Sequence, residues 1–161
     1  MIRALAMAGG LAGAVGLSQF PEFSQQYLQR LSGAVDELRG ITVAFDLSAK
    51  VAGLTRDEAL AKIGGSSFEE DLRDTIGGKI KRYERLNADY QSLSGAEPLA
   101  RLAQAWRFRD SDLARRTWDD FRPAVPATTD GLICAGIGFA GGWLIISLLF
   151  GLFLRPFRRR A

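Results

Sequence analysis

Residues 131–154 read GLICAGIGFAGGWLIISLLFGLFL, 24 residues without a charged side chain. As an α-helix rising about 1.5 Å per residue, the stretch extends about 36 Å, enough to cross a hydrocarbon core about 30 Å thick with some tilt. Asp130 bounds it on one side; Arg155, Pro156, Phe157, Arg158, Arg159 and Arg160 bound it on the other. A helix buried in a water-soluble core needs neither that length nor so basic a stop, so the stretch reads as a transmembrane helix.

The opposite end of the chain carries a second apolar run. Residues 4–20, ALAMAGGLAGAVGLSQF, contain four glycines and follow Arg3. Seventeen residues make a helix of about 26 Å, the short end of what spans a bilayer. Met1-Ile2-Arg3 ahead of the run and Ala12-Gly13-Ala14 within it also fit a cleaved signal peptide. The run passes straight into a helical pattern with no spacer, which favours an uncleaved anchor. With both ends inserted, Arg3 and the C-terminal arginines place both termini in the cytoplasm. The intervening chain is then extracytoplasmic, in the periplasm of a Gram-negative cell. The expected organisation is a first transmembrane helix over 1–20, a helical domain over 21–126, a second transmembrane helix over 127–155 and a basic tail over 156–161.

Charge follows the same division. The chain has 21 Lys and Arg against 18 Asp and Glu. Five of the bases are Arg3, Arg155, Arg158, Arg159 and Arg160, so the middle holds 21 − 5 = 16 bases against all 18 acids, a net of −2. A nucleic-acid binder concentrates its basic excess on a folded surface. Here the excess flanks apolar segments, where it serves orientation and lipid contact, and nucleic acid is not an expected partner. Histidine is absent, and with it the usual general base, zinc ligand and serine triad. The single cysteine, Cys134, lies in the second span and reads as a small apolar residue in a helix interface. No cofactor or metal is expected.

Gly9 with Gly13, and Gly138 with Gly142, are small-xxx-small pairs. Such pairs let membrane helices approach backbone to backbone. The four glycines are therefore expected at helix-packing faces, against each other or against a partner membrane protein.

Between the spans the pattern is a helical hairpin. Leu28, Leu31, Val35, Leu38, Thr42, Phe45, Ala49 and Ala52 alternate spacings of three and four, a sustained heptad stripe. Pro21 falls at a kink or first turn, so this helix is expected to leave the membrane almost without interruption. Thr55 with Glu58 has capping-box spacing for a short helix, and Gly64-Gly65-Ser66-Ser67 is a turn with serines able to cap the next one. Phe68, Leu72, Ile76, Ile80, Tyr83, Leu86, Tyr90 and Leu93 then form the apolar face of a second long helix, antiparallel to the first. Residues 97–108 and 112–121 read as two short helices near the membrane. Trp106, Trp118 and Phe121, interleaved with arginines, suit either the lipid headgroup level or the base of the hairpin core. The fold class is all-α: two transmembrane helices flanking a long antiparallel hairpin with short juxtamembrane helices.

No catalytic constellation emerges. Glu69-Glu70 and Asp119-Asp120 are adjacent in sequence and point about 100° apart on a helix, unlike a working acid/base pair. The glycine pairs lack the lysine and strand-to-helix setting of a phosphate loop. Neither span contains an ionisable residue, so no ion path runs through this chain alone.

Residues 17–38 (LSQFPEFSQQYLQRLSGAVDEL) and 116–132 (RTWDDFRPAVPATTDGL) resemble a proteobacterial family of two-span inner-membrane proteins of unassigned function. The resemblance implies the bacterial inner membrane and supplies no catalytic residue. It also implies a respiratory or photosynthetic complex as one host. The expected function is a non-catalytic accessory, scaffolding or assembly subunit of a larger membrane complex. Its partners would be membrane lipids and other integral membrane proteins, or further copies of itself. A self-assembling stalk or pore, or a lipid-binding periplasmic module, is the alternative.

Overall fold

A computed structural model describes residues 2–125 and 127–154. The protein is all-α, and the described residues contain no strand. The elements are α1 (Ile2–Ser18), α2 (Phe20–Val51), α3 (Arg56–Lys62), α4 (Ser67–Ser94), α5 (Pro98–Leu102), a 3₁₀ turn (Ala105–Arg107), α6 (Ser111–Asp119) and α7 (Thr129–Leu154).

Only Gln19 separates α1 from α2. Pro21 has no N–H to give the carbonyl four residues back, yet it sits in the first turn of α2, where that loss is tolerated. The ladder resumes at once, with the Phe23 N–H on the Gln19 carbonyl at 3.0 Å. Residues 3–51 therefore run as one long bent helix. This helix and α7 are long and apolar enough to cross a membrane.

The chain divides into two compact units. The first holds α1 with residues up to Gln26, α5 (within Glu97–Ala105), and the chain from Arg116 through α7. In it α1 lies against α7, antiparallel, with Ala6, Gly10, Gly138 and Cys134 buried.

The second unit is the hairpin, Tyr27–Ala96, with Trp106–Arg115. Its core is Tyr27, Leu28, Leu31, Val35 and Leu38 of α2, Leu86 and Leu93 of α4, and Leu113 of α6. Truncating a fully buried leucine such as Leu31 or Leu93 to alanine costs about 2–5 kcal/mol by loss of transfer energy and cavity formation. At the end of α2 the N–H of Leu54 reaches back to the Ala49 carbonyl (2.9 Å) and that of Gly53 to Lys50 (3.0 Å). Gly53 has φ +72°, the left-handed residue this closing motif requires. Thr55 and Glu58 then form a reciprocal capping box on α3, and Ser66 caps α4.

Two expectations change. The apolar face of α4 extends in sequence from Phe68 to Leu93, but Phe68 and Leu72 are exposed and burial begins at Ile80. The cause is the length of α2. It ends at Val51, and α3, brought in by Arg56, lines α4 around Gly77–Glu84, leaving the first α4 turns uncovered. Residues 97–108 are not one helix: Pro98 opens a short α5, and the chain tightens into a 3₁₀ turn after Leu102.

Candidate functional site

The first candidate is the crossing of α1 and α7. A Cβ added at Gly13 would fall on the carbonyl oxygen of Gly138, and one added at Gly138 would fall on that of Gly13. A Cβ at Gly142 would meet the Gly9 carbonyl; at Gly9 it would meet Ile146, with the Gly142 carbonyl at 3.1 Å. Gly10 accepts the ring of Phe139, which would stand 2.8 Å from its Cβ. The backbones thus touch at positions where any side chain would hold them apart, an arrangement that favours Cα–H···O contacts. All four glycines singled out from the sequence stand in this one crossing and face each other within the chain. By contrast Gly16, Gly136, Gly141 and Gly151 have no atom within 4 Å of an added Cβ.

In the same unit three aromatic rings cluster. Trp118 stacks on Phe121 with centroids 6.3 Å apart and planes at 13°. Phe23 meets both edge-on, at 6.4 Å and 5.9 Å. Phe23 was not singled out from the sequence, although it lies within one of the two segments that carry the family resemblance. Two glutamines hold the loop after α6. Gln26 donates its amide to the Arg122 carbonyl (3.2 Å), and the Ala124 N–H donates to Oε1 of Gln19 (3.1 Å). Arg101 is buried and donates to Gln25 at 3.0 Å, and burial lowers its pKa against the opposing pull of Glu97. Trp106, exposed, belongs to the second unit. Arg155, Arg158, Arg159 and Arg160 lie outside the described residues.

The second unit contains two buried carboxylates, each gripped by two arginines. Asp89 takes Arg107 at 3.1 Å and Arg109 at 3.4 Å. Asp110 takes Arg82 and Arg85, both at 3.0 Å, and its Oδ1 also accepts the Leu113 N–H at 3.2 Å, capping α6. Tyr27 lies by both acids, its ring 4.7 Å from that of Phe108. Burial, aided by the negative charge of Asp110 and Asp89, pushes the Tyr27 phenol up to about 12, against the opposing hydrogen bond from the Asp110 backbone. Desolvation works against the charge of Arg82, yet Asp110 and Asp112 together keep its pKa raised. A second staple joins the three helices of the hairpin. Arg56 binds Asp46 at 2.6 Å and Glu84 at 2.8 Å, which raises the Arg56 pKa and lowers that of Asp46.

Sequence reasoning missed these pairs, though a signal was present. Asp89 interrupts the apolar stripe between Leu86 and Leu93, where a charge needs a partner. The carboxylates of both clusters are fully engaged. Every carboxylate in them is matched by guanidinium groups, and no described buried side-chain polar atom lacks a hydrogen-bond partner. The described residues contain no group of three or more metal-ligating side chains.

Over residues 1–159 the chain matches the model of a family described as a protein of unknown function (DUF2937). It belongs to that family. No curated protein and no solved structure matches it. The match takes in α1, the hairpin, the aromatic cluster and α7.

Proposed function

We propose that this is a non-catalytic, two-span inner-membrane protein whose hairpin docks on another protein, as an accessory, scaffolding or assembly subunit of a larger membrane complex. One observation carries the reading: over its C-terminal part, from Gly40 to Val51, α2 is apolar on both sides. Its inner face fills the hairpin core. On its outer face Val43, Leu47 and Val51 follow at intervals of four residues, and Leu47 is 62% and Val51 83% exposed. Gly33 and Gly40 lie on the same side, with open space around them. A water-exposed helix normally presents polar residues outward, and a contiguous exposed apolar stripe marks an interaction surface. Since the four packing glycines are spent on the α1–α7 crossing, the hairpin is the better candidate for partner contact.

The antiparallel pairing of α1 and α7 supports the topology. The chain leaves α1 and joins α7 on the same face, and Arg3 with the arginine-rich C-terminal sequence assigns the opposite face to the cytoplasm. The hairpin then belongs to the periplasm.

A photo-crosslinking residue at position 47, activated in native membranes, tests the docking. The expected product joins this chain to a different membrane protein, and the same probe at Lys62 gives none. Exclusive recovery of the uncrosslinked chain would refute the proposal, and a product of two copies would replace it with a self-assembling stalk.

A further inference from the structure

We propose that Phe23, Trp118 and Phe121 form an interfacial anchor that seats in the phospholipid headgroup layer and fixes the depth of the spans. This rests on the membrane insertion proposed above. Trp118 is 71% exposed although it is among the largest side chains of the chain, and its indole lies flat on Phe121 rather than turned inward. A rigid amphipathic ring with one wet and one apolar side is what the membrane–water boundary selects.

Continuity with the spans indicates the bilayer as the occupant. Gln19, the residue between α1 and α2, holds Ala124 of the segment leading to α7, and Gln26 holds Arg122 one residue after the triad. The rings are therefore tied to the end of the spans where the chain leaves α1 and joins α7. They are too far along the chain to belong to either apolar run, and they lie close enough to be drawn to its boundary. The charges beside the rings, Glu22, Arg116, Asp119, Asp120 and Arg122, are of both signs and sum to −1. Such a set matches the mixed charges of zwitterionic headgroups and does not demand anionic lipid.

Bromine on lipid chains quenches tryptophan that contacts them, and the three tryptophans of the chain separate the questions. The full chain carrying Trp106→Phe and Trp143→Phe retains only Trp118. The chain carrying Trp106→Phe and Trp118→Phe retains only Trp143, an exposed residue within α7. Both are reconstituted in phosphatidylcholine vesicles brominated either near the headgroup or near the chain ends. The anchor predicts that Trp118 is quenched severalfold more by shallow than by deep bromine, and that phosphatidylglycerol changes this little. Quenching of Trp143 with an unquenched, water-like Trp118 emission would overturn the anchor and leave the insertion of α7 standing. Absence of quenching at both positions would overturn the anchor together with the membrane reading on which it depends.

Discussion

Asp89 is 2% exposed, whereas its partners Arg107 and Arg109 are 29% and 56% exposed. The burial is one-sided, so the two ways of breaking the cluster have unequal costs. Removing both bases with Arg107→Ala/Arg109→Ala strands a carboxylate in the core, a loss of about 3–5 kcal/mol. Removing only the charge with Asp89→Asn leaves two guanidinium groups that reach water, and the amide still accepts a hydrogen bond. That loss is about 1–2 kcal/mol. The decisive variant combines all three. With the charge gone there is nothing left to strand, so adding Asp89→Asn to the double mutant recovers about 1–3 kcal/mol. Urea unfolding of the full chain in dodecyl maltoside, followed by far-ultraviolet circular dichroism, reads the order directly. A triple variant no more stable than the double would refute the claim that an unpaired buried charge dominates, and would point to lost arginine packing instead.

Gly13→Ala or Gly138→Ala, each placing a methyl on a carbonyl of the opposing helix, should destabilise the α1–α7 pair by about 1–3 kcal/mol. Gly16→Ala and Gly136→Ala, with open space around them, should leave the thermal unfolding midpoint in detergent, followed by circular dichroism, unchanged. Tyr27 supplies a pH dependence. Its pKa is raised from 10.0 to about 12, so the neutral form is favoured by folding, full stability holds below pH 10, and it is lost as pH rises toward 12. Two units correspond to about 3 kcal/mol, and Tyr27→Phe should remove this part of the alkaline decline in the urea midpoint. Gly53→Ala, at φ +72°, should cost about 1–2 kcal/mol by the same unfolding measurement, while Gly33→Ala on the open face of α2 should be neutral or stabilising.

The helices were legible because their signals are local. Residues 131–154 announce a span by length alone, the Thr55–Glu58 spacing announces its cap, and the three-four stripe from Leu28 to Leu38 announces a core face. The unburied start of α4 was not legible, because periodicity states which residues share a face and says nothing about what lies opposite. Phe68 and Leu72 continue the stripe of Leu86 and Leu93, and only the end of α2 at Val51 decides that they stay exposed. The ion pairs were hidden for a related reason. Asp110 and Arg82 are 28 residues apart, and no window along the chain brings them together. Of the three clustered aromatics, Trp118 and Phe121 could be grouped by proximity in sequence, while Phe23 precedes the whole hairpin in the chain.

The four glycines that make α1 look a poor membrane helix are better understood through α7. Glycine makes the transfer of a short span into the bilayer less favourable, and by hydrophobicity alone α1 is marginal. In the bilayer no hydrophobic force draws one helix to another, so association relies on close packing. Three of the four, Gly9, Gly10 and Gly13, lie where a side chain would collide with α7, and Gly16, beyond the contact, does not. What α1 lacks in apolar character it therefore regains in contact with α7, whose exposed side is lined by Leu144, Ile145, Leu148 and Leu149. If the protein inserts as proposed, α7 is the span that holds it in the membrane, and α1 depends on α7 for a stable place beside it.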